Sequence, residues 1–191
     1  MTRTALAGLL AVLALVAGGL VVRGHEGATA PADALGSLRS AAALQPCPVA
    51  LGPAFPAGQV GCLGDGRPVQ LSGRPTGRPM LVNLWATWCG PCVKEVPTLV
   101  AFAAKARGKV DVVGVVTSDE PGDALRFAAQ FGMHYPNLDD QDGVVRRRFA
   151  PGLPATLLVD PEGRVVEVKL RAFASEREIE ALVADRLGVR T

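Results

Sequence analysis

The stretch 85–97 reads WATWCGPCVKEVP and contains two cysteines, Cys89 and Cys92, three positions apart. It follows an apolar run, 80–86, that is typical of a buried strand, and it opens a segment with helical periodicity. Because the cysteines fall where the strand gives way to the helix, the sequence predicts a dithiol at a helix N-terminus.

A helix N-terminus favours a reactive cysteine. The thiolate is the form that attacks a disulfide, and the partial positive charge of the helix end lowers the pKa of a cysteine placed there. Cys89 is expected at the N-cap and is assigned as the nucleophile, and Pro91 is tolerated in the first turn because no backbone N–H is needed there. Cys92 lies about one turn further along the same face and is assigned as the resolving thiol, which attacks a mixed disulfide at Cys89.

A CxxC pair also occurs as half of a tetrahedral zinc site. The other two cysteines, Cys47 and Cys62, lack CxxC spacing, and no histidine pattern completes a ligand set. A redox dithiol is therefore the preferred interpretation.

The motif WCGPCxxExP resembles the thioredoxin superfamily, and within it the TlpA/ResA-like branch of membrane-anchored thiol-disulfide oxidoreductases. The resemblance is specific at this motif and extends, with looser correspondence, over residues 60–187. It implies an α/β thioredoxin-like fold, a mixed central sheet flanked by helices, with an N-terminal hairpin and an inserted helix and strand. It also implies that the residues beside the dithiol, Trp88, Gly90 and Pro91, contact the substrate.

The glutamate of this motif, Glu95, lies three residues after Cys92 and shares its side of the helix. The residues alone favour a solvated helical glutamate. In the TlpA/ResA-like branch, a glutamate at this position handles protons beneath the dithiol, a task that a strand aspartate performs in ordinary thioredoxins. That strand position is Asn83 here, which cannot ionise. The resemblance therefore implies that Glu95 is the proton donor and acceptor for Cys92.

A second motif, GLPAT at 152–156, precedes an apolar strand. It resembles the loop that carries a cis-proline opposite the dithiol throughout the superfamily. The resemblance implies a cis Leu153–Pro154 bond, a state that only proline makes readily accessible, and pairing of the Leu153 backbone with an extended substrate segment. The alternative is a proline that simply begins the strand.

Residues 4–22 carry no charge and are rich in Leu, Ala, Val and Gly. A helix of about 20 such residues crosses the hydrocarbon core of a bilayer, so residues 1–23 are predicted to be a single-pass membrane anchor. A cleaved signal sequence, with Ala28-Thr29-Ala30 as the cleavage motif, is the alternative. Both interpretations place the rest of the chain on the extracytoplasmic side.

The following residues, 24–46, are rich in Ala, Gly, Ser and Pro and are predicted to form a flexible linker. The thioredoxin-like domain is predicted to span 47–191. Two cysteines at its start, Cys47 and Cys62, are expected to form a structural disulfide, although four cysteines allow three connectivities. A disulfide that closes a loop of this size stabilises a fold by about 3 kcal/mol in the chain-entropy model. The alternative is a second redox pair.

Local patterns predict the other elements. They are a hairpin over 60–71, the active-site helix to about Gly108, a buried strand over 110–117, a helix ending at Phe131, a short strand and helix within 135–149, a hairpin from 156 to about 170, and a last helix between Ser175 and Gly188.

The predicted function is a thiol-disulfide oxidoreductase that needs no metal or organic cofactor. The Gly-Pro spacer matches thioredoxin, a reductant at about −270 mV, which favours a reductase. The resemblance implies exported protein substrates, such as the CxxCH cysteines of c-type apocytochromes, and a membrane thiol-shuttling electron donor. The alternatives are a disulfide-forming oxidase, a copper-binding or copper-delivery protein, a peroxidase and a redox-inert module. A net charge of +2 gives no support for nucleic-acid binding.

Overall fold

The computed structural model describes residues 31–191. In chain order, the helices and strands of this part are α1 Pro31–Ala42, β1 Gln59–Cys62, β2 Pro68–Gln70, β3 Met80–Trp85, α2 Gly90–Lys105, β4 Asp111–Thr117, α3 Pro121–Phe131, β5 Asn137–Asp140, α4 Val144–Phe149, β6 Ala155–Val159, β7 Val165–Lys169 and α5 Glu176–Leu187. The strands form one seven-stranded sheet in the order β2-β1-β5-β4-β3-β6-β7. This is the thioredoxin-like α/β fold that the sequence predicts.

Parallel strands occupy the centre of the sheet. β3 and β5 both run parallel to β4, whereas antiparallel pairs extend the sheet on both sides, β1 with β5 and β3 with β6. Every residue of β3 is buried, as its nearly continuous apolar run predicts for a strand covered on both faces. The end of β3 therefore delivers the active-site segment from a buried strand in the interior of the sheet.

Successive side chains of β3 enter two different apolar clusters because strand residues alternate between faces. Leu81 and Trp85 join a cluster with α2, α3 and α5, and Val82 and Leu84 join a second cluster with α4 and the loop before β1. The sheet thus separates the two halves of the core, and the dithiol belongs to the first half.

The prediction of a flexible linker over 24–46 is wrong for residues 31–42, which form α1. Leu35 and Leu38 of this helix pack against the core, and Ala42 is fully buried. The apolar face is short, so the sequence shows only weak periodicity, and packing against α3 stabilises the helix instead. The compact unit accordingly spans 31–191 rather than starting at residue 47.

The predicted membrane anchor, residues 1–23, lies outside the described residues. Within the described range, the structure contains no helix with the length and apolar character needed to cross a membrane.

Trp85, the last residue of β3, is held by a buried hydrogen bond. Its indole Nε1 donates to Asn137 Oδ1 at 2.9 Å, and its ring lies 5.2 Å from that of Phe127. Gly114 of β4 pairs with Asn137 of β5, and a Cβ on Gly114 would lie 1.8 Å from the same Asn137 oxygen. Only glycine therefore leaves room for the Asn137 side chain that fixes Trp85.

We expect Gly114→Ala to lower the free energy of unfolding by about 2–4 kcal/mol, because the methyl group displaces Asn137 and leaves the indole N–H unpaired in the core. Urea denaturation measures the loss. Gly36→Ala is the matched control, since a Cβ on this residue of α1 meets nothing within 4 Å and alanine favours a helix. Equal losses in the two variants would contradict the steric explanation.

Candidate active site

Cys89 is the N-cap residue of α2, as the sequence predicts. Its backbone is extended, with φ −87° and ψ 98°, and its Sγ accepts a hydrogen bond from the Cys92 N–H at 3.2 Å. No acidic residue lies in the first turn of the helix. A thiolate at Cys89 would therefore be stabilised by the free N–H groups and the positive end of the helix, without an opposing carboxylate in that turn.

The two cysteines of the motif are joined in a disulfide with a Cα–Cα distance of 5.2 Å. Cys89 is 5% exposed and Cys92 is fully buried. An incoming thiolate can therefore reach only the Cys89 sulfur, which agrees with the assignment of Cys89 as the nucleophile and Cys92 as the resolving thiol.

The loop before the dithiol is anchored by the loop that follows β4. Asp119 accepts hydrogen bonds from the Thr87 backbone N–H at 2.5 Å and the Thr87 hydroxyl at 3.0 Å. The Trp88 indole N–H donates to the Ser118 carbonyl at 3.1 Å, which leaves the ring 62% exposed beside Cys89. Asp119 thus fixes the segment that presents the nucleophile.

Sequence reasoning missed Asp119. The available signal was its position directly after a buried strand, because parallel neighbours such as β3 and β4 bring their carboxyl ends to the same edge of the sheet. The residues alone did not indicate that the Asp119 carboxylate accepts hydrogen bonds from Thr87 instead of capping a helix N-terminus.

Glu95 is not a solvated helical glutamate, because only 1% of it is exposed. Its Oε1 accepts from the Asn83 amide at 2.9 Å, and its Oε2 accepts from the Phe173 backbone N–H at 3.0 Å. Burial raises the pKa of Glu95 above its usual value, and these two hydrogen bonds and the charge of Lys169 oppose part of that shift. A glutamate in this setting is suited to exchanging a proton, and its role toward Cys92 remains a prediction.

Asn83 connects Glu95 to the strand that carries the second motif. Its Nδ2 donates to Glu95 and also to the Thr156 hydroxyl at 3.1 Å, while its buried Oδ1 makes no hydrogen bond to a described residue. Thr156 lies on β6, two residues after Pro154. The helix, the central strand and the proline loop are therefore linked by one buried polar network.

The Leu153–Pro154 peptide bond is cis, as the resemblance implied. Ala155 pairs with Leu84 in the antiparallel register of β6 and β3, so Pro154 falls at the level of Trp85, where β3 ends. Leu153 is half-buried and Pro154 is buried. The structure thus brings the GLPAT loop to the end of the sheet that carries the dithiol, and substrate contacts by Leu153, Pro154, Trp88, Gly90 and Pro91 remain predictions.

The other two cysteines, Cys47 and Cys62, also form a disulfide, with a Cα–Cα distance of 5.8 Å. Cys62 ends β1 and is buried in the second apolar cluster, whereas Cys89 and Cys92 belong to the first. Because the sheet lies between the two pairs, direct exchange between them is blocked in this fold. This separation supports a structural role for Cys47 and Cys62.

Within residues 31–191, the structure brings together no group of three or more His, Cys, Asp or Glu side chains that could hold a metal ion.

Comparison with known proteins bears on both the fold and the motif. The sequence model of the Redoxin family matches residues 50–183. The chain is 33% identical over 107 residues to the thiol-disulfide oxidoreductase ResA of Bacillus subtilis strain 168, covering 54% of this chain and 59% of the relative. It is 30% identical over 105 residues to ResA of Bacillus thuringiensis strain Al Hakam, covering 54% of this chain and 60% of the relative.

A solved structure is similar over nearly its whole length. It is a secreted Mycobacterium tuberculosis disulfide oxidoreductase homologous to E. coli DsbE, 28% identical to this chain, with a TM-score of 0.58. The likeness covers 67% of this chain and 95% of that one. Against the curated ResA relatives, by contrast, the match spans less than two thirds of their length, at 60% of the first of them.

Proposed function

Because this chain belongs to the Redoxin family and resembles the ResA branch of the thioredoxin superfamily, we propose that it exchanges disulfides with other proteins through Cys89 and Cys92. The observation that carries this proposal is the disulfide at the N-terminus of α2, in which Cys89 alone has exposed surface. The exposed ring of Trp88 beside it offers an apolar contact for a protein substrate.

The reduced form begins the reaction. The Cys89 thiolate attacks one sulfur of a substrate disulfide, which forms a mixed disulfide and releases the other substrate sulfur as a thiolate. Glu95, as carboxylate, takes the proton of the Cys92 thiol. The Cys92 thiolate then attacks the Cys89 sulfur, which closes the Cys89–Cys92 disulfide and releases the second substrate thiolate. Two electrons have passed to the substrate, and the proton on Glu95 is available to the departing thiolate.

We infer that the direction in the cell is reduction of exported proteins. The Gly-Pro spacer between the cysteines matches the reducing thioredoxins, and the similarity to a secreted oxidoreductase supports a site outside the cytoplasm. The uncharged residues 4–22 support a single-pass membrane anchor. Apocytochrome c CxxCH cysteines are the proposed clients and a membrane thiol-shuttling protein is the proposed electron source, both on the strength of the resemblance.

The reduction potential of the Cys89–Cys92 pair tests the direction. The full chain is equilibrated with dithiothreitol and glutathione buffers of defined potential, and alkylated peptides are quantified by mass spectrometry so that the pair Cys47 and Cys62 is counted separately. A reductase predicts a value below about −250 mV, whereas a value above about −150 mV would replace it with a disulfide-forming oxidase. A dithiol that never equilibrates with the buffer would overturn the exchange activity itself.

A further inference from the structure

Lys169 is an unusually buried lysine near the active site. It ends β7 with 9% of its surface exposed. Its ammonium pairs with the Glu178 carboxylate at 2.9 Å and lies 4.6 Å from the centre of the Phe173 ring. Burial of a lysine is costly unless its charge is paired. The ion pair with Glu178 and the contact with the Phe173 ring offset this cost and fix the position of the ammonium.

Both partners of Lys169 belong to the segment that binds Glu95. Phe173, which lies under the ammonium, donates its backbone N–H to Glu95 Oε2 at 3.0 Å. Glu178, the ion-pair partner, accepts from the Ala174 N–H at 2.8 Å with its other oxygen. These two contacts therefore hold the Lys169 ammonium beside the turn that places an N–H group on the buried carboxylate.

Few charges act on Glu95. Lys169 on β7 favours its carboxylate form, and Glu178 on α5 opposes that form. Tyr135, which precedes β5, has a buried hydroxyl with no hydrogen bond to a described residue and carries no charge at neutral pH. Arg171 pairs with Glu178 at 2.7 Å, but its side chain is 70% exposed and screened by water. The hydrogen-bonded network around Glu95 includes the uncharged Asn83 amide on β3 and, through it, the Thr156 hydroxyl on β6. Cys92, three residues before Glu95 on α2, is held in a disulfide.

We propose that Lys169 is a positioning residue for disulfide exchange: its contacts with Phe173 and Glu178 place its ammonium beside the Glu95 site, where its charge favours the glutamate carboxylate. Lys169 thereby lowers the pH above which Glu95 can take the proton of Cys92. Lys169 keeps its own proton throughout and exchanges none with the substrate. The functional part of this inference rests on the proposed exchange reaction, whereas its electrostatic part concerns Glu95 alone.

The test is a carbon-13 NMR titration of the Glu95 carboxyl in the oxidised full chain, in which the disulfide cysteines do not titrate. Glu95→Gln identifies the signal. We expect Lys169→Met to raise the Glu95 midpoint by about half a pH unit or more, since a nearby cation is removed. Arg171→Met is the matched control, because Arg171 is the other cation that pairs with Glu178 and is exposed to solvent. This variant should leave the Glu95 midpoint within about 0.2 pH units of the wild-type value.

A purely structural role for Lys169 predicts a different pattern. Glu178→Gln keeps an oxygen for the Ala174 N–H but removes the negative charge, so the Glu95 midpoint should fall; loosening of the turn would instead raise it in both variants. The proposal is overturned if Lys169→Met and Arg171→Met shift the midpoint equally, or if Glu178→Gln shifts it upward. Should Lys169→Met not fold, Lys169→Gln, which removes the same charge, replaces it in the comparison. The titration uses no substrate, so its result is independent of the exchange assay.

Discussion

Replacing Cys89 with serine is expected to abolish disulfide exchange, with a loss of at least about a thousandfold in rate, comparable to removing the nucleophile of other covalent enzymes. Cys92 cannot substitute for it, because its sulfur is fully buried behind Cys89 and out of reach of a substrate disulfide. Reduction of insulin by dithiothreitol, followed with and without the protein, measures the loss.

Cys92→Ser should behave differently. Cys89 can still attack a substrate, but the resolving thiol is gone, so the reaction stops at the mixed disulfide and a covalent adduct accumulates. Mass spectrometry detects the adduct as a mass increase that dithiothreitol reverses. An adduct that forms in Cys89→Ser instead would reverse the two assignments.

The control for both variants is Cys47→Ser combined with Cys62→Ser. This double variant should lose about 3 kcal/mol of stability in the chain-entropy model yet retain exchange, because its disulfide lies on the other side of the sheet. Loss of exchange in a folded double variant would show that the second pair takes part in electron transfer.

Replacing Glu95 with glutamine is expected to slow exchange by about a hundredfold near neutral pH, the lower end of what general acid–base catalysis contributes. Because burial raises the pKa of Glu95, its carboxylate becomes available only above that raised value. The wild-type rate of mixed-disulfide resolution should therefore rise with pH through this range, and the rise should be absent in the variant. Stopped-flow measurement of single turnovers over the pH range gives both profiles.

The same substitution should change how stability depends on pH. The folded-state pKa of Glu95 lies above the unfolded value, so the folded protein binds more protons at intermediate pH. The contribution of Glu95 to the stability of the wild type is then greatest below the unfolded pKa and is lost as pH rises through the folded pKa. Glu95→Gln removes this decrease. The glutamine N–H₂ must face either the Asn83 amide or the Phe173 N–H, both of which are donors, so one hydrogen bond is lost and stability falls by about 1 kcal/mol at every pH.

Glu162→Gln is the control for this pair of measurements, because Glu162 lies in the exposed turn between β6 and β7, with 61% of its side chain accessible. It should alter neither the rate profile nor the stability slope. If Glu95→Gln retains the wild-type pH profile of resolution, the proton that leaves Cys92 is accepted by another group or by water.

Much of this fold is predictable because the signals are local. The apolar runs of β3 and β4 predict strands buried on both faces, and both strands are buried as predicted. Ser175 caps the last helix as its spacing to Glu178 predicts, with the Ser175 hydroxyl accepting from the Glu178 N–H at 3.3 Å. Cys89 falls at an N-cap for the same reason, since it directly precedes the segment with helical periodicity that forms α2.

The cis bond at Pro154 and the proton role of Glu95 were reached through resemblance. Neither follows from spacing, because an isolated proline favours the trans form and an isolated helical glutamate faces water. The structure contains the cis bond and buries the glutamate.

The sequence by itself determined the strand that carries the dithiol, the helix whose N-terminus holds it and the order in which the other elements follow, because backbone periodicity and capping act over a few residues. Only the tertiary structure decided that residues 31–42 form a packed helix, that Asp119 anchors Thr87, and that Glu95 is bound by Phe173 and influenced by Lys169. Asp119 and Thr87 are 32 positions apart, and Glu95 and Phe173 are 78 apart. Contacts over such separations depend on strand order and register, which bring distant side chains together and which local spacing does not encode.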